Sequence, residues 1–207
     1  MKALEKVLAV MSNSENKLIL ASTSAYRREL LERLRIPFEV ISPEVDETPL
    51  NGESTLELAL RLAKAKAVAV AKYHPEAWII GSDQVADLSG VPIGKPGNFE
   101  RALAQLQLMR GATVTFHTAL CLMRGDVETT LSIPTQVTFR KLSDEALEAY
   151  LHAEQPYDCA GSAKSEGLGI TLLESIRSDD PTALIGLPLI ALTGLLRDAG
   201  FVIPIKK

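Results

Sequence analysis

The sequence has little cysteine, few aromatic residues and no long apolar run. Its two cysteines, Cys121 and Cys159, lie apart, and the apolar alternation around Cys121 predicts a buried free thiol rather than a disulfide. No stretch approaches the roughly 18 apolar residues that a membrane-spanning helix needs. Glu5 and Lys6 interrupt the opening segment MKALEKVLAVMSNSEN before a signal-peptide core of about 7–15 apolar residues is complete. We therefore expect a cytoplasmic protein without a membrane partner.

Positive charge is not concentrated anywhere along the chain. The 207 residues include 22 Lys and Arg against 26 Asp and Glu, so the formal net charge is −4. A general nucleic-acid-binding protein usually carries a basic stripe, and its absence predicts that nucleic acid is not a partner. The three histidines, His74, His117 and His152, are isolated from each other and from the cysteines, which is not the spacing of zinc ligands. An anionic ligand must therefore be met by a local site.

What the sequence does contain is an irregular alternation of strand-like and helix-like segments. The apolar periodicity predicts strands at 17–22, 37–42, 77–85, 112–123, 127–139, 168–176 and 201–205. The same criteria predict helices at 25–35, 55–72, 99–110, 144–153 and 187–198. The RGD turn makes the strands 112–123 and 127–139 an antiparallel pair. This order predicts an α/β fold with a mixed twisted sheet.

One domain accounts for most of the chain. We assign it to residues 17–207, because the first strand begins at Lys17 and one core is the simplest organisation for this length. Residues 1–16 form an N-terminal extension that can be disordered. The apolar helix near the C-terminus, LPLIALTGLLRDAG, is either part of the core or one face of a homodimer.

The stretch KLILASTSAYRRELL places hydroxyl groups where a strand meets a helix. Ser22 lies at this junction, and a helix N-terminus attracts anions. Arg27 and Arg28 follow in the first turn, where a cation opposes the helix dipole. A bound phosphate would compensate for this charge. The alternative is a capped surface helix with two solvated arginines.

Lys66 occupies an unusual position in the helix predicted over 55–72. It falls on the apolar stripe with Leu62, Ala63 and Val70. Because an unpaired buried ammonium group is costly, its side chain must reach solvent, form an ion pair or contact a ligand.

Carboxylates and a further lysine follow other strands and turns. SPEVDET contains Glu47, and Asp83 follows the apolar segment WII; such carboxylates can hold a hard divalent cation or polarise water, or be ordinary surface acids. Lys95 extends from the rigid turn PIGKP, where it can reach a phosphate. Together these residues suit a polyphosphate–metal site. P-loop and Rossmann glycine motifs are absent from the sequence.

These motifs resemble the Maf family of nucleoside triphosphate pyrophosphatases. The resemblance runs from Lys17 to about Leu196 and is carried by LILASTSAYRRELL, PEVDET, RLAKAKA, IIGSDQV, GKP, CAGSAKSEGLG and GLPLIAL. Within the family, GSDQV and AGSAKSEG are similar to the branch that hydrolyses 7-methyl-GTP. In the dTTP/UTP branch a Gln stands where this chain has Glu166.

The resemblance implies a Maf/ITPase-like fold with two lobes around a central cleft, and it implies roles for individual residues. Asp83 is the expected catalytic base, and Glu47 and Asp83 are the expected ligands of a divalent cation, Mg²⁺ or Mn²⁺. The residues expected to bind the substrate phosphates are Ser22, Arg27, Lys66 and Lys95. Those expected to set base specificity are Tyr26, Gln84 and Glu166. A tryptophan is expected in this branch at the position of Tyr26, and the smaller ring stacks less strongly on a cationic base.

The implied reaction is hydrolysis of 7-methyl-GTP to 7-methyl-GMP and pyrophosphate, a house-cleaning activity on a small-molecule nucleotide. Two alternatives stay open at this point. One is a nucleotide-binding regulator of septum formation, and the other is a pyrophosphatase that acts on other canonical or modified nucleotides such as UTP or dTTP.

Overall fold

A computed structural model describes residues 16–204, and within that range the chain forms seven strands and five α-helices. The strands are β1 Leu18–Ala21, β2 Glu39–Ile41, β3 Trp78–Leu88, β4 Val91–Ile93, β5 Thr113–Arg124, β6 Val127–Phe139 and β7 Leu173–Ser178. The helices are α1 Ala25–Glu32, α2 Thr55–Ala71, α3 Phe99–Met109, α4 Asp144–Glu154 and α5 Leu189–Asp198. Short 3₁₀ turns lie at Ala160–Ser162, Leu168–Leu172 and Ala183–Ile185.

The strands form one mixed sheet in the order β2-β1-β3-β5-β6-β7, with β4 paired to β3. Strand β1 runs parallel to both β2 and β3, whereas the remaining pairs are antiparallel. The predicted α/β class with a mixed sheet is confirmed. The predicted antiparallel pair is also confirmed, since β5 and β6 pair from Thr113 opposite Thr138 to Arg124 opposite Val127.

Side-chain caps define where the helices begin. Ser54 and Glu57 form a reciprocal capping box at the start of α2, which satisfies two backbone donors that the helix leaves unpaired. Ser24, Asn98 and Ser143 cap α1, α3 and α4 through their side-chain oxygens. These capping residues can be recognised in the sequence, and all five helices begin within two residues of their predicted first residues.

The interior contains three apolar clusters, of which the first two lie in one lobe and the third lies in the other. On one face of the sheet α1 and α5 pack over a cluster that includes Leu20 and Ile80, and on the other face α2 covers Ile19 and Ile79. The third cluster lies between α3, α4 and the far ends of β5 and β6, around Phe116. Burying each large aliphatic side chain contributes about 1.5–3 kcal/mol. The clusters account for the two expected lobes, and the cleft described below lies between them.

Gly81 allows α2 to pack directly on β3. A Cβ atom at this position would lie 2.1 Å from the carbonyl oxygen of Ala63 and 2.8 Å from the amide nitrogen of Ala67. Real Cβ atoms do not approach backbone so closely, so only glycine fits. The contact sets the spacing between the helix that carries Lys66 and the strand that carries Asp83.

The structure also corrects several predicted boundaries. Strand β4 was not predicted, and the strand predicted at 168–176 is a 3₁₀ turn followed by β7. The predicted strand 201–205 is wrong for residues 201–204, because Gly200 closes α5 with φ +87° and the Phe201 N–H bonds back to the Leu196 carbonyl oxygen. Pro188 delays the start of α5 to Leu189.

Other expectations concern the chain ends and the thiols. The expectation of a disordered extension over 1–16 falls outside the described residues, except for Asn16. Cys121 and Cys159 are both free, which confirms the prediction of unpaired thiols. Among the helices of residues 16–204, none is both long and apolar enough to cross a membrane. Helix α5 packs three leucines into the core, Leu189, Leu192 and Leu196, as the core alternative predicted.

Candidate active site

The two lobes enclose a cleft of about 1030 Å³. All nine residues that the sequence singled out line it: Ser22, Tyr26, Arg27, Glu47, Lys66, Asp83, Gln84, Lys95 and Glu166. They come from the β1–α1 junction and helix α1, the segment after β2, helix α2, strand β3, the turn after β4 and the loop after α4. The structure thus brings the whole set together, while their individual roles stay predictions.

The two adjacent arginines of α1 have different environments. Arg27 faces the cleft and donates a hydrogen bond from Nε to the Gly186 carbonyl oxygen at 2.8 Å. Arg28 is exposed and pairs with Glu32 on the same helix. Burial lowers the pKa of Arg27, and the charges of Asp83 and Glu47 oppose that shift. Only Arg27 therefore provides a partly desolvated cation for an anionic ligand.

Ser22 lies at the end of β1, where the backbone turns into α1. It is buried, and its Oγ accepts a hydrogen bond from the Ser24 N–H at 3.1 Å. Its own N–H bonds to the Ile41 carbonyl oxygen of β2. The junction is therefore rigid, with a hydroxyl group next to the N-terminus of α1, where backbone N–H groups favour anions.

Lys66 neither reaches solvent nor stays unpaired. Its Nζ lies 2.6 Å from Asp83 Oδ1 and 2.6 Å from Glu47 Oε1. The side chains of Lys66 and Asp83 are only 8% and 10% exposed, whereas Glu47 is 57% exposed. Of the three possibilities raised by the sequence, ion pairing is the one observed. The lysine holds two carboxylates together at the cleft wall.

Glu47 is held in place through its neighbours. Arg61 donates to Glu53 and, at 3.0 Å, to the Thr48 carbonyl oxygen. Burial raises the pKa of Glu47, but the hydrogen bond and charge of Lys66, with the charges of Lys95 and Arg27, outweigh burial and leave this pKa below its ordinary value. Glu47 is therefore an anion at neutral pH.

Gln84 has its side-chain nitrogen fully engaged with the protein. Nε2 lies 2.9 Å from Thr118 Oγ1, 3.0 Å from the Ala183 carbonyl oxygen and 2.9 Å from the Leu184 carbonyl oxygen. Because carbonyl oxygens only accept, these contacts identify the nitrogen end of the amide. Ser82, two residues before Gln84 on β3, donates from its hydroxyl to the Gly186 carbonyl oxygen at 3.0 Å. The two side chains fasten the 183–186 turn against β3, beside Arg27.

One end of the cleft contains an aromatic ring surrounded by charged groups. The Tyr26 hydroxyl donates to Asp158 at 3.5 Å, and the Lys164 Nζ lies 5.6 Å from the Tyr26 ring centroid. Burial raises the pKa of Tyr26, and Cys159, Asp158 and Glu166 raise it further. Asp158 and Glu166 place negative charge near this ring, and the nearby Lys164 is paired with Glu154 at 3.3 Å.

Sequence reasoning missed Asp158, Cys159 and Lys164 as cleft residues. All three line the cleft beside Tyr26, although about 130 residues separate them from it in the chain. The motif CAGSAKSEGLG was the available signal, because it contains Cys159, Lys164 and Glu166 and directly follows Asp158.

The carboxylates near Lys66 provide the donors that a hard cation prefers. Within residues 16–204, no group of three or more His, Cys, Asp or Glu side chains is arranged to hold a metal ion. Mg²⁺ does not need such a cage, since it usually binds one or two carboxylates together with substrate phosphates and water. Glu47 and Asp83, both 2.6 Å from one Lys66 nitrogen, fit this requirement.

The fold and the cleft define a class: a mixed α/β protein equipped to bind a phosphorylated ligand, with a helix N-terminus, fixed cations and paired carboxylates in one cavity. The chain belongs to the Maf family, since the profile described as Maf-like protein matches residues 17–199.

Relatives extend the similarity over nearly the whole chain. A Cupriavidus metallidurans protein named 7-methyl-GTP pyrophosphatase is 64% identical over 192 residues, covering 92% of this chain and 96% of the relative. Proteins of the same name from Ralstonia nicotianae and Bordetella avium are 63% and 62% identical, each covering 89% of this chain and 96% and 93% of the relatives. Among solved structures, the Staphylococcus aureus Ham1 protein is similar with a TM-score of 0.45 and 15% identity, covering 61% of this chain and 73% of that one.

Proposed function

We propose that this protein is a nucleoside triphosphate pyrophosphatase that hydrolyses 7-methyl-GTP to 7-methyl-GMP and pyrophosphate. Relatives at 62–64% identity bear the name of this activity. The observation that carries the proposal is the placement of Asp83, with its Lys66 and Glu47 partners, in the same cleft as Tyr26 and Glu166.

The reaction begins with a water molecule that attacks the α-phosphorus. Asp83 is the base that accepts the proton of this water. Lys66 holds the Asp83 carboxylate in one orientation through its contact of 2.6 Å. Because β3 and α2 are packed without a gap at Gly81, the carboxylate does not need to reorganise during the reaction.

The negative charge of the triphosphate is balanced by groups from the start of α1 and from the turn after β4. Arg27 and Lys95 contribute full positive charges, and Ser22 donates its hydroxyl next to the N-terminus of α1. These groups stabilise the charge that develops on the departing pyrophosphate.

Glu47 and Asp83 would hold a divalent cation, Mg²⁺ or Mn²⁺. When bound, it would neutralise phosphate oxygens and stabilise the leaving group. The geometry supports this part of the proposal, because Glu47 and Asp83 both lie 2.6 Å from the Lys66 Nζ and are therefore close to each other at the cleft wall.

The base is selected at the Tyr26 end of the cleft. Glu166 accepts hydrogen bonds from the N–H groups of guanine, a pair of donors that uracil and thymine lack. Methylation makes the guanine ring cationic, and the carboxylates of Asp158 and Glu166 together with the aromatic face of Tyr26 favour such a ring. Gln84 acts by placing the 183–186 turn, since its amide nitrogen is engaged there.

The test is pyrophosphate release by the purified protein from 7-methyl-GTP, GTP, UTP and dTTP, measured side by side with Mg²⁺ or Mn²⁺ and after chelation with EDTA. We expect the highest kcat/KM with 7-methyl-GTP and loss of turnover in EDTA. Tight nucleotide binding without turnover would instead support a nucleotide-sensing regulator. A preference for UTP or dTTP would contradict the assignment of Glu166.

We further propose that the protein works in the cytoplasm without a nucleic-acid or membrane partner, and that it forms a homodimer. The net charge of −4 supports the first part, since nucleic-acid binding relies on basic patches. Exposed apolar side chains such as Ile190 on α5, which is 61% exposed, support the second. Sedimentation analysis of the purified protein tests the dimer.

A further inference from the structure

Gln105 on α3 connects two segments that line the cleft, although it does not line the cleft itself. Its Oε1 accepts a hydrogen bond from Ser162 Oγ at 2.6 Å, and its Nε2 donates to the Gly94 carbonyl oxygen at 3.0 Å. The Gly94 carbonyl can only accept, so it identifies the nitrogen end of the amide, and the oxygen end must face Ser162.

The Gly94 contact fixes the turn that carries Lys95. Gly94 immediately precedes Lys95, and both residues line the cleft. The far side of this turn is tied by the Gly97 N–H, which donates to the Tyr157 carbonyl oxygen at 3.0 Å. The turn that carries Lys95 is therefore hydrogen-bonded on both sides.

The Ser162 contact fixes the loop that carries Lys164 and Glu166. Ser162 is fully buried and adopts φ +55°, a left-handed conformation that a non-glycine residue keeps only when its surroundings hold it. A second helix contributes, because the Tyr150 hydroxyl of α4 donates to the Ser162 carbonyl oxygen at 3.2 Å and accepts from the Lys164 N–H at 3.1 Å.

We propose that Gln105 is a positioning residue that ties the Lys95 turn to the Glu166 loop, so that one side chain aligns phosphate binding with base recognition. The inference rests on the proposed function for the identity of the two ends. Gln105 acts through Gly94 and Ser162 and touches neither the phosphates nor the base.

The two hydrogen bonds can be broken one at a time. Gln105→Glu keeps an acceptor for Ser162 but cannot donate to Gly94. Ser162→Ala removes only the other contact, and Gln105→Leu removes both. Gln107→Leu is the matched control, since Gln107 is on the same helix and does not line the cleft. Thermal unfolding and circular dichroism verify that each variant is folded.

The readout is calorimetric binding of two probes that report the two ends separately. Tripolyphosphate reports the Lys95 end, and the nucleoside 7-methylguanosine reports the Glu166 end. A lost neutral hydrogen bond changes binding by about three- to tenfold. We expect Ser162→Ala to weaken 7-methylguanosine by that factor. Gln105→Glu should weaken tripolyphosphate by at least that factor, because the new carboxylate also repels the Gly94 carbonyl oxygen and the anionic probe. Gln105→Leu should weaken both probes, and Gln107→Leu should weaken neither.

Several results would overturn the inference: folded Gln105→Leu protein that binds both probes like wild type, an equal loss in Gln107→Leu, or wild-type protein that binds neither probe. A purely structural role would lower the unfolding temperature without separating the two probes. The titrations need no turnover, so they test the role of Gln105 separately from the proposed function. Absence of pyrophosphate release by wild-type protein would count against the proposed function alone.

Discussion

Lys66 Nζ lies 2.6 Å from Asp83 Oδ1, and both side chains are about nine-tenths buried. The pair joins α2 to β3 and explains why a lysine occupies the apolar stripe of that helix. A buried ammonium group without a partner would cost several kcal/mol. The carboxylate that stabilises it is the same group that we propose as the catalytic base, so the stability of the cleft wall and its chemistry depend on one contact.

Replacing Asp83 with Asn removes the proposed base while keeping the size of the side chain. We expect kcat/KM for 7-methyl-GTP to fall by about 10²–10⁴, the usual contribution of a general base. The fold should survive, because Lys66 keeps Glu47 as a partner at 2.6 Å. Pyrophosphate release and circular dichroism measure the two effects. Asp126→Asn, in the exposed turn between β5 and β6, is the control and should keep full activity. Full activity of folded Asp83→Asn would show that Asp83 is not the base.

Replacing Glu166 with Gln tests base recognition. The amide keeps one acceptor and loses the charge, so the ratio of kcat/KM for 7-methyl-GTP over UTP should fall by about tenfold, the value of a hydrogen bond to a charged group. Competition between the two nucleotides in one reaction measures this ratio directly. Glu174→Gln on β7, outside the cleft, should leave it unchanged. An unchanged ratio in Glu166→Gln would show that another group reads the base.

Replacing Gly81 with Ala tests the packing of α2 on β3. The added Cβ would lie 2.1 Å from the Ala63 carbonyl oxygen, so the helix must move, and we expect the free energy of unfolding to fall by about 3 kcal/mol or more. Gly194→Ala in α5 is the matched control, because its Cβ would meet no atom within 4 Å. It should be neutral or stabilise by about 1 kcal/mol. Urea denaturation gives both values, and equal stabilities for the two variants would refute the close contact.

The Cys159 thiol should react slowly at neutral pH. Burial raises its pKa to about 11, and the charge of Asp158 adds to this shift. Because a raised pKa keeps the thiol protonated, only about one molecule in a thousand is the reactive thiolate at pH 8. The rate of alkylation by iodoacetamide, followed by peptide mass spectrometry, should rise about tenfold per pH unit from pH 7 to pH 10. Asp158→Asn should increase the rate at pH 8, and a plateau near pH 9 would contradict the assignment.

Local patterns predicted the elements of the fold well. Apolar alternation identified β3, β5 and β6, and hydroxyl or amide caps such as Ser54 and Asn98 identified helix starts, because both signals depend on residues close in sequence. The short strand β4 and the C-terminal segment were mispredicted. Residues 201–204 do not form a strand, because the Phe201 N–H bonds back to the Leu196 carbonyl oxygen at the end of α5.

The motifs were enough to assign the family and to name nine residues that line one cleft, because each motif carries its chemistry in a few adjacent side chains. The partners of those residues were decided only by the tertiary structure. Three contacts join segments that are separated in sequence: Lys66 with Asp83, Gln84 with the 183–186 turn, and Tyr26 with Asp158. Their distances depend on how helices pack on the sheet, which is set by contacts such as Gly81 against Ala63 that no local pattern records.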